Sequence, residues 1–451
     1  MNKKPRFLIQ FVCFAAVFLA ILLQSFTGFV KMNPLQGFDK EESTPVALTF
    51  KSYYDGSYQN YLTEHAKRNT GFREFFIRSY NQMAYSCFGK ITNDNIVEGR
   101  NHELYLKMYL NDITGKTLEK EFGTVSQAKV VAQNNVEETL RLIDTLHRHG
   151  TEFLFVFAPS KTWVYPENMP KAYRQHVSDF SLEEYYIQLF KEKGIAHIDF
   201  LDYFRNNKEA LKNTPYYPLF PRTGTHWAEA TIPLVADSIL KKLSAITDYT
   251  LPSVQYIDEN LTTDYSVQDG ELEASMNLLF PLKKPAIPKP IFTLTDTIGK
   301  DKPNLLVIAD SYFVQLRISD FSKAFNHWDY WMYNRDVQAS RKEYRWMELK
   351  HLADAPTILK EADIVLALFT APMYYNYMFG FTQSAQDLYQ KGEPTFDERV
   401  QMTVHQIKLD PNWMKAVEKQ AAELGISVEE NLMRNAKYVV EVKQKKASQN
   451  D

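Results

Sequence analysis

The chain has almost no cysteine. Two occur among its 451 residues, Cys13 and Cys87. Cys13 lies inside an apolar stretch near the N-terminus and Cys87 is alone in the body, which excludes an intramolecular disulfide and a cysteine-based zinc site. An excess of charge of either sign is also lacking. Lys+Arg number 52 and Asp+Glu 55, for a net charge of −3, and no basic patch or stripe of the kind a nucleic-acid footprint needs is present. The 10 histidines carry no metal-ligand spacing; His147 and His149 sit two apart, on different faces of one helix. No metal and no other cofactor is therefore expected. No internal repeat is visible, and no second apolar run matches the one that opens the chain, so the body is expected to be soluble.

That opening run is the first positive feature. Lys3, Lys4 and Arg6 precede an uncharged stretch from Phe7 to Val30, longer than the roughly 20 residues that span a bilayer. Positive charge ahead of it places the N-terminus in the cytoplasm and the rest of the chain on the far side. The small-x-small pattern of a signal-peptidase site is missing; Ser25-Phe26-Thr27-Gly28-Phe29 is a poor one. An uncleaved single-pass anchor over residues 1–30, in the inner (cytoplasmic) membrane, is expected in preference to a cleaved signal, followed by a linker over 31–50 and an extracytoplasmic (periplasmic) body. Aromatics make up 14% of the chain, with 27 Tyr and 30 Phe. Such a surplus suits sugars, whose C–H faces stack on rings, although a large core accounts for most of it.

Along the body, apolar residues recur at three- and four-residue spacing between Ser52 and Lys90, which predicts helix. Ile96–Gly99 and Glu103–Leu106 read as a hairpin. A long amphipathic helix runs from Val125 to His149 and stops at Gly150. The strand Phe153–Phe157 follows, then a helix capped by Ser181 with Glu183 and Glu184 in its first turn, ending near Gly194, and a strand over 195–200. A helix is expected from Trp227 to Ile246. Residues 247–303 form a polar, Pro-containing insertion whose segment Pro281–Pro290 is not helical. A buried strand over 304–309, a helix from Phe313 to about Phe325 and a third buried strand over 364–369 complete an α/β domain spanning 51–409. Helices and a basic tail, Lys443 to Lys446, occupy 410–451. Strands alternating with helices predict a parallel sheet covered on both faces, with ligands beyond the carboxyl ends of its strands. Pro159-Ser160-Lys161, Asp202, Ser311 and Thr370 all fall just past strand ends, and His226 lies in the loop after strand 195–200.

Two of these residues make a chemical pair. A serine at the exit of a buried strand, as in Leu305-Leu306-Val307-Ile308-Ala309-Asp310-Ser311, can be presented as a nucleophile, and the histidine of Gly224-Thr225-His226-Trp227 can be its base. Each alone has a plainer reading, Ser311 as a helix cap and His226 as a structural residue before a helix.

Several further segments occur in one order: Phe72–Asn81 through Phe88-Gly89-Lys90, the Gly99 hairpin, Ala158-Pro159-Ser160-Lys161 with Tyr165–Pro170, Thr225-His226-Trp227 and Asp310-Ser311-Tyr312. That set resembles the membrane-anchored, SGNH-hydrolase-like proteins of the alginate O-acetyltransferase AlgX/AlgJ (DHHW) group, from about residue 50 to the C-terminal helices. The resemblance implies an SGNH-hydrolase-like parallel sheet flanked by helices, and an O-acetyltransferase that acts on an exported polysaccharide through an acetyl-serine, with the acetyl group delivered by an MBOAT-type membrane partner. It makes Ser311 the nucleophile and His226 the base. The family's triad aspartate stands two residues before the histidine, and that position here is Gly224. Asp202 or a backbone carbonyl is the expected substitute, with Asp199, Glu229 and Asp310 also near in sequence; losing the acid of a serine-protease triad costs about 10⁴ in turnover. The Ser311 N–H is the default oxyanion donor, with Arg222 and Asn334 as candidates to assist. Lys161 is expected either in the oxyanion and substrate-binding part of the site or as a structural residue that pairs with a carboxylate near it. Tyr374, in the string Met373–Phe379, is expected either on a glycan platform or packed on the C-terminal helices. Two rival functions use the same features: a catalytically impaired glycan-binding scaffold, motivated by Gly224, and a carbohydrate esterase with water as acceptor.

Overall fold

The computed structural model describes residues 3–37, 45–295, 301–339, 346–392 and 394–447. The chain divides into two units, Met1–Glu98 with Gly270–Lys284, and Gly99–Asp269 with Pro285–Asp451.

The second unit is built on a seven-stranded sheet: β1 Glu152–Ala158, β2 His197–Asp199, β3 Leu305–Ala309, β4 Trp328–Met332, β5 Asp336–Ala339, β6 Met347–Glu348 and β7 Ile364–Thr370. Their spatial order is β6-β5-β4-β3-β7-β1-β2. The five strands from β4 to β2 are parallel, and β5 and β6 extend that sheet antiparallel. Every residue of β3 and β7 is buried, which explains their unbroken runs of Leu, Val, Ile, Ala and Phe: both faces of a parallel sheet are covered. Leu366 of β7 lies in register between Val307 of β3 and Leu154 of β1. The chain leaves β1 for β2 on one side. It returns to β3, continues to β4 on the other side, and fills the gap last with β7. The strand order therefore reverses around the carboxyl ends of β1, β7 and β3, where open α/β sheets bind ligands.

The helix Val125–Arg148 covers β1. Its buried positions Ala128, Ala132, Val136, Thr139, Leu142 and Leu146 recur every three or four residues, one stripe of an amphipathic helix, and Thr124 caps it by accepting the Gln127 N–H at 3.2 Å. Helix Leu182–Lys193 packs beside it, capped by Ser181, whose Oγ accepts the Glu184 N–H at 3.2 Å, and closed by Gly194 at φ +68°. These match the sequence reading. Elsewhere the structure differs from it. The helix expected from Trp227 begins at Ile232 after a single turn at Glu229–Thr231, because Trp227 is fully buried and its loop is held by other contacts. The helix expected over 313–325 is two pieces, Phe313–Ile318 and Asp320–Ala324, broken where Ser319 adopts an extended conformation and caps the second piece. Strands β4 to β6 were not foreseen. The Pro-containing stretch carries an antiparallel ribbon, Val254–Thr262 against Ile287–Leu294, with Pro288 and Pro290 tolerated because a two-stranded ribbon has only edges. Helices Phe396–Leu409, Pro411–Leu424 and Val428–Ala447 share one apolar cluster that includes Val400, Ile407, Val417, Leu432 and Ala436; the C-terminal helical part thus starts ahead of Asp410.

In the first unit, helix Lys3–Thr27 contains a stretch, Phe7–Thr27, that is long and apolar enough to cross a membrane. At 1.5 Å per residue it reaches about 30 Å, the thickness of the hydrocarbon layer. The expected linker is irregular over 31–37 and ends at helix Phe50–Tyr54; its residues 38–44 lie outside the described residues. The helical stretch expected over 52–90 is three helices, Phe50–Tyr54, Ser57–Asn69 and Arg73–Phe88, interrupted at Gly56, which has φ +80°.

Candidate active site

Asp310, the residue after β3, ties three strands together. Its Oδ1 accepts the Tyr312 N–H at 2.9 Å and its Oδ2 the Thr370 N–H at 2.8 Å, while its backbone carbonyl accepts the Tyr330 hydroxyl at 2.6 Å. The turn after β3 is thereby clamped to the ends of β7 and β4. Burial pushes the Asp310 carboxyl up to about 6, against the pull of the two backbone N–H groups and of His226. Ser311 emerges from this clamp half-buried. Its Oγ lies 2.8 Å from His226 Nε2, within the reach a nucleophile and its base require.

The loop carrying His226 is held from two sides. On one side is Tyr312, fully buried: its hydroxyl donates to the Thr225 carbonyl at 2.7 Å and its own carbonyl accepts Trp227 Nε1 at 3.1 Å, with its ring 4.9 Å from that of His226. On the other side is Lys161, just past β1. Its ammonium pairs with Glu103 at 2.6 Å and donates to the carbonyls of Pro221 at 2.7 Å, Arg222 at 3.1 Å, Leu104 at 3.2 Å and Gly224 at 3.4 Å. The expected carboxylate partner exists, but Lys161 binds the backbone of the His226 loop and is not a substrate-binding group.

The other expected site residues separate. Asp202 lies on helix Phe200–Leu211, exposed, with its carboxylate accepting from Asn206 at 2.9 Å. It does not approach His226, because the helix carries it away from the sheet edge, and Asp199 is spent capping that helix through the Asp202 N–H. Asn334 is no oxyanion donor: its amide nitrogen donates to the Phe379 carbonyl and to Ser384 Oγ, both at 3.1 Å. Tyr374 is buried, donates to the Phe369 carbonyl at 2.9 Å, and packs against Tyr186 and Phe157. It is core and no glycan platform. Arg222 is half-buried beside the His226 loop, where its backbone carbonyl accepts the Leu104 N–H at 2.8 Å.

One functional neighbour was missed. Tyr333 donates its N–H to the Ala309 carbonyl at 2.9 Å, which extends the β3–β4 ladder by one residue, and its hydroxyl lies close enough to Ser311 to feel that residue electrostatically. Burial and the nearby Asp310 raise its phenol above the ordinary value, with Ser311 opposing them. Tyr333 and Asn334 both have positive φ, 53° and 47°, a conformation that costs a non-glycine residue energy and that tends to mark functional sites. With Arg335, Met373, Asn376 and Phe379, Tyr333 lines an open cavity of about 540 Å³. The aromatic run Trp328-Asp329-Tyr330-Trp331 of β4 was the available signal. Among the described residues no group of three or more His, Cys, Asp or Glu side chains could hold a metal ion.

Residues 118–292 match the family described as "SGNH hydrolase-like domain, acetyltransferase AlgX"; the match includes His226 and ends before Ser311. No curated protein matches the chain. Among solved structures it resembles the O-acetyltransferase domain of Pseudomonas putida AlgJ (16% identity, 64% of this chain and 99% of that one, TM-score 0.38). It also resembles Pseudomonas aeruginosa AlgX (15% identity, 64% and 66%, TM-score 0.39) and Bacillus cereus PatB1 with a sulfonyl adduct (12% identity, 55% and 92%, TM-score 0.34). Over residues 118–292, then, the chain is similar to the AlgX family of SGNH hydrolase-like acetyltransferase domains.

Proposed function

We propose that this protein is an O-acetyltransferase that acts outside the cytoplasmic membrane on a polysaccharide through an acetyl-Ser311 intermediate. The observation that carries the reading is the 2.8 Å approach of His226 Nε2 to Ser311 Oγ at the carboxyl edge of the parallel sheet. In the first half-reaction His226 Nε2 takes the Ser311 hydroxyl proton as the oxygen attacks the acetyl carbonyl. The C–O bond to the donor breaks, the leaving group receives that proton, and acetyl-Ser311 remains. In the second, His226 takes the proton of a sugar hydroxyl, whose oxygen attacks the acetyl carbonyl, and Ser311 leaves with the proton restored. General-base assistance of this kind contributes about 10²–10⁴ in rate. The Ser311 N–H is the default donor to the developing oxyanion.

The cavity lined by Tyr333, Met373 and Phe379 would offer aromatic faces to the sugar acceptor. The apolar helix Phe7–Thr27 would anchor the protein single-pass in the cytoplasmic membrane, next to an MBOAT-type partner that supplies the acetyl group. Mixing the protein with 4-nitrophenyl acetate should release a burst of nitrophenol equal to the enzyme present, and Ser311→Ala should abolish it. Equal release by both proteins would sink the proposal.

A further inference from the structure

A histidine base works only when one ring nitrogen is held protonated so that the other can accept. With Nε2 facing Ser311, the group that orients the ring must meet Nδ1, on the side of the ring turned away from the serine. Position 224 cannot supply it. A Cβ on Gly224 would lie 2.7 Å from the Gln268 carbonyl oxygen, 2.8 Å from Pro221 Cγ and 2.9 Å from the Asp269 carbonyl oxygen. The space beside the His226 loop is already filled by the backbone of residues 268–269.

That backbone carries a carboxylate. Asp269 is 1% exposed, and its position is fixed at three points. Its N–H donates to Ser266 Oγ at 3.2 Å. Its carbonyl accepts Thr223 Oγ1 at 3.0 Å. Its carboxylate accepts the Glu229 N–H at 3.1 Å on Oδ1 and 3.4 Å on Oδ2. Thr223 and Glu229 each stand three residues from His226, one before and one after. Asp269 is therefore bonded to both arms of the loop that presents the imidazole, through its carbonyl on one side and its carboxylate on the other. The neighbouring acid Asp310 is committed elsewhere, with one oxygen on the Tyr312 N–H and the other on the Thr370 N–H.

We propose that Asp269 is the positioning residue of this site: its carboxylate receives the Nδ1–H of His226, selects the tautomer with Nε2 free to accept the Ser311 proton, and stabilises the imidazolium that forms. The catalytic carboxylate has thus moved from the segment two residues before the histidine to the Pro-containing stretch, where it reaches the ring from outside the His226 loop. This rests on the acyl-transfer reading above.

The test compares Asp269→Asn, Asp269→Glu and Ser311→Ala in the full-length chain, with 4-nitrophenyl acetate as substrate. Asn keeps an acceptor for the Glu229 N–H, so a purely structural role would leave the kinetics alone. The expected result is a loss of kcat of about 10²–10⁴ for Asp269→Asn, on the scale of triad aspartates, with KM changed less than about threefold. Asp269→Glu should recover part of the rate. An Asp269→Asn protein with wild-type kcat, beside an inactive Ser311→Ala protein, would overturn the role of Asp269 and leave the acetyl-serine reading standing. Undiminished activity in Ser311→Ala would overturn the acetyl-serine reading instead. ¹⁵N NMR of histidine-labelled wild-type protein tests the contact independently of activity. It should show His226 protonated at Nδ1 above the pH at which the ring becomes neutral, and a ring protonated at Nε2 would overturn the proposal even if no variant folds.

Discussion

Replacing Lys161 with methionine keeps an unbranched apolar stem and removes the ammonium and its charge. In the native protein three ammonium protons face one carboxylate oxygen of Glu103 and the carbonyl oxygens of Leu104, Pro221, Arg222 and Gly224. The lysine side chain is 4% exposed and that of Glu103 18%. Taking away one member of such a pair strands a poorly solvated carboxylate and typically costs about 3–5 kcal/mol, a large part of a total stability of roughly 5–15 kcal/mol. Thermal unfolding of the detergent-solubilised chain should fall by roughly 10 °C, at about 2–4 °C per kcal/mol for a domain of this size. Three of the five oxygens belong to the loop that presents His226. A displacement of that loop of the order of 1 Å should lower ester turnover by about 10², even though Lys161 touches no reacting atom. Adding Glu103→Gln to Lys161→Met removes the stranded charge and should recover roughly half of the lost stability, a coupling that a double-mutant cycle reads directly. A Lys161→Met protein that melts within 2 °C of wild type (about 1 kcal/mol) and keeps full turnover would refute the view that this ammonium staples the catalytic loop.

Three further outcomes are expected. Gly224→Asp, which places a carboxylate two residues before the histidine, should lower both melting temperature and ester turnover, since its Cβ falls under 3 Å from two backbone oxygens and overpacking of this kind costs about 1–3 kcal/mol; a gain in turnover would contradict the packing described. Tyr312→Phe deletes the hydroxyl that donates to the Thr225 carbonyl at 2.7 Å and leaves a buried acceptor unpaired, so it should destabilise by about 1–3 kcal/mol and slow turnover with little change in KM. Asp112, buried between Trp163 Nε1 and the Tyr375 hydroxyl, is pushed up from an ordinary 3.8 to about 6 by burial. The folded state then holds this proton more tightly than the unfolded one, so stability falls as pH rises through that window and levels off above it. Asp112→Asn should accordingly be more stable than wild type by up to about 3 kcal/mol at pH 7, with the difference vanishing near pH 4; urea melts at the two pH values would show it.

The parts of the fold legible in the chain are those written in local periodicity. Buried strands β1, β3 and β7 read as unbroken apolar runs, and the helices Val125–Arg148 and Leu182–Lys193 carry their own caps. Strands β4 to β6 were missed because they are short, and β4 mixes Asp329 and aromatics whose burial depends on neighbours far away in sequence. The late helix start at Ile232 was missed because the buried contacts of Trp227 override helical propensity, and the break at Ser319 because that residue turns extended and caps the next piece.

The candidate site divides in the same way. Ser311 and His226 could be named because a serine at a strand exit and a histidine in a loop bear their chemistry in their own residue types. Lys161, Asn334, Tyr374 and Asp202 could be named but not given their roles. Whether an ammonium binds substrate or backbone carbonyls, whether an amide faces a cleft or Phe379, and which way a tyrosine points depend on what surrounds each group. The chain by itself determined an apolar N-terminal helix, an alternating α/β body and a serine–histidine pair 85 residues apart. Only the tertiary structure closed that separation to 2.8 Å, emptied position 224 of any room for a side chain, and set Asp269 against the same loop. Those outcomes are decided by packing between segments distant in sequence, and short-range patterns do not encode such distances.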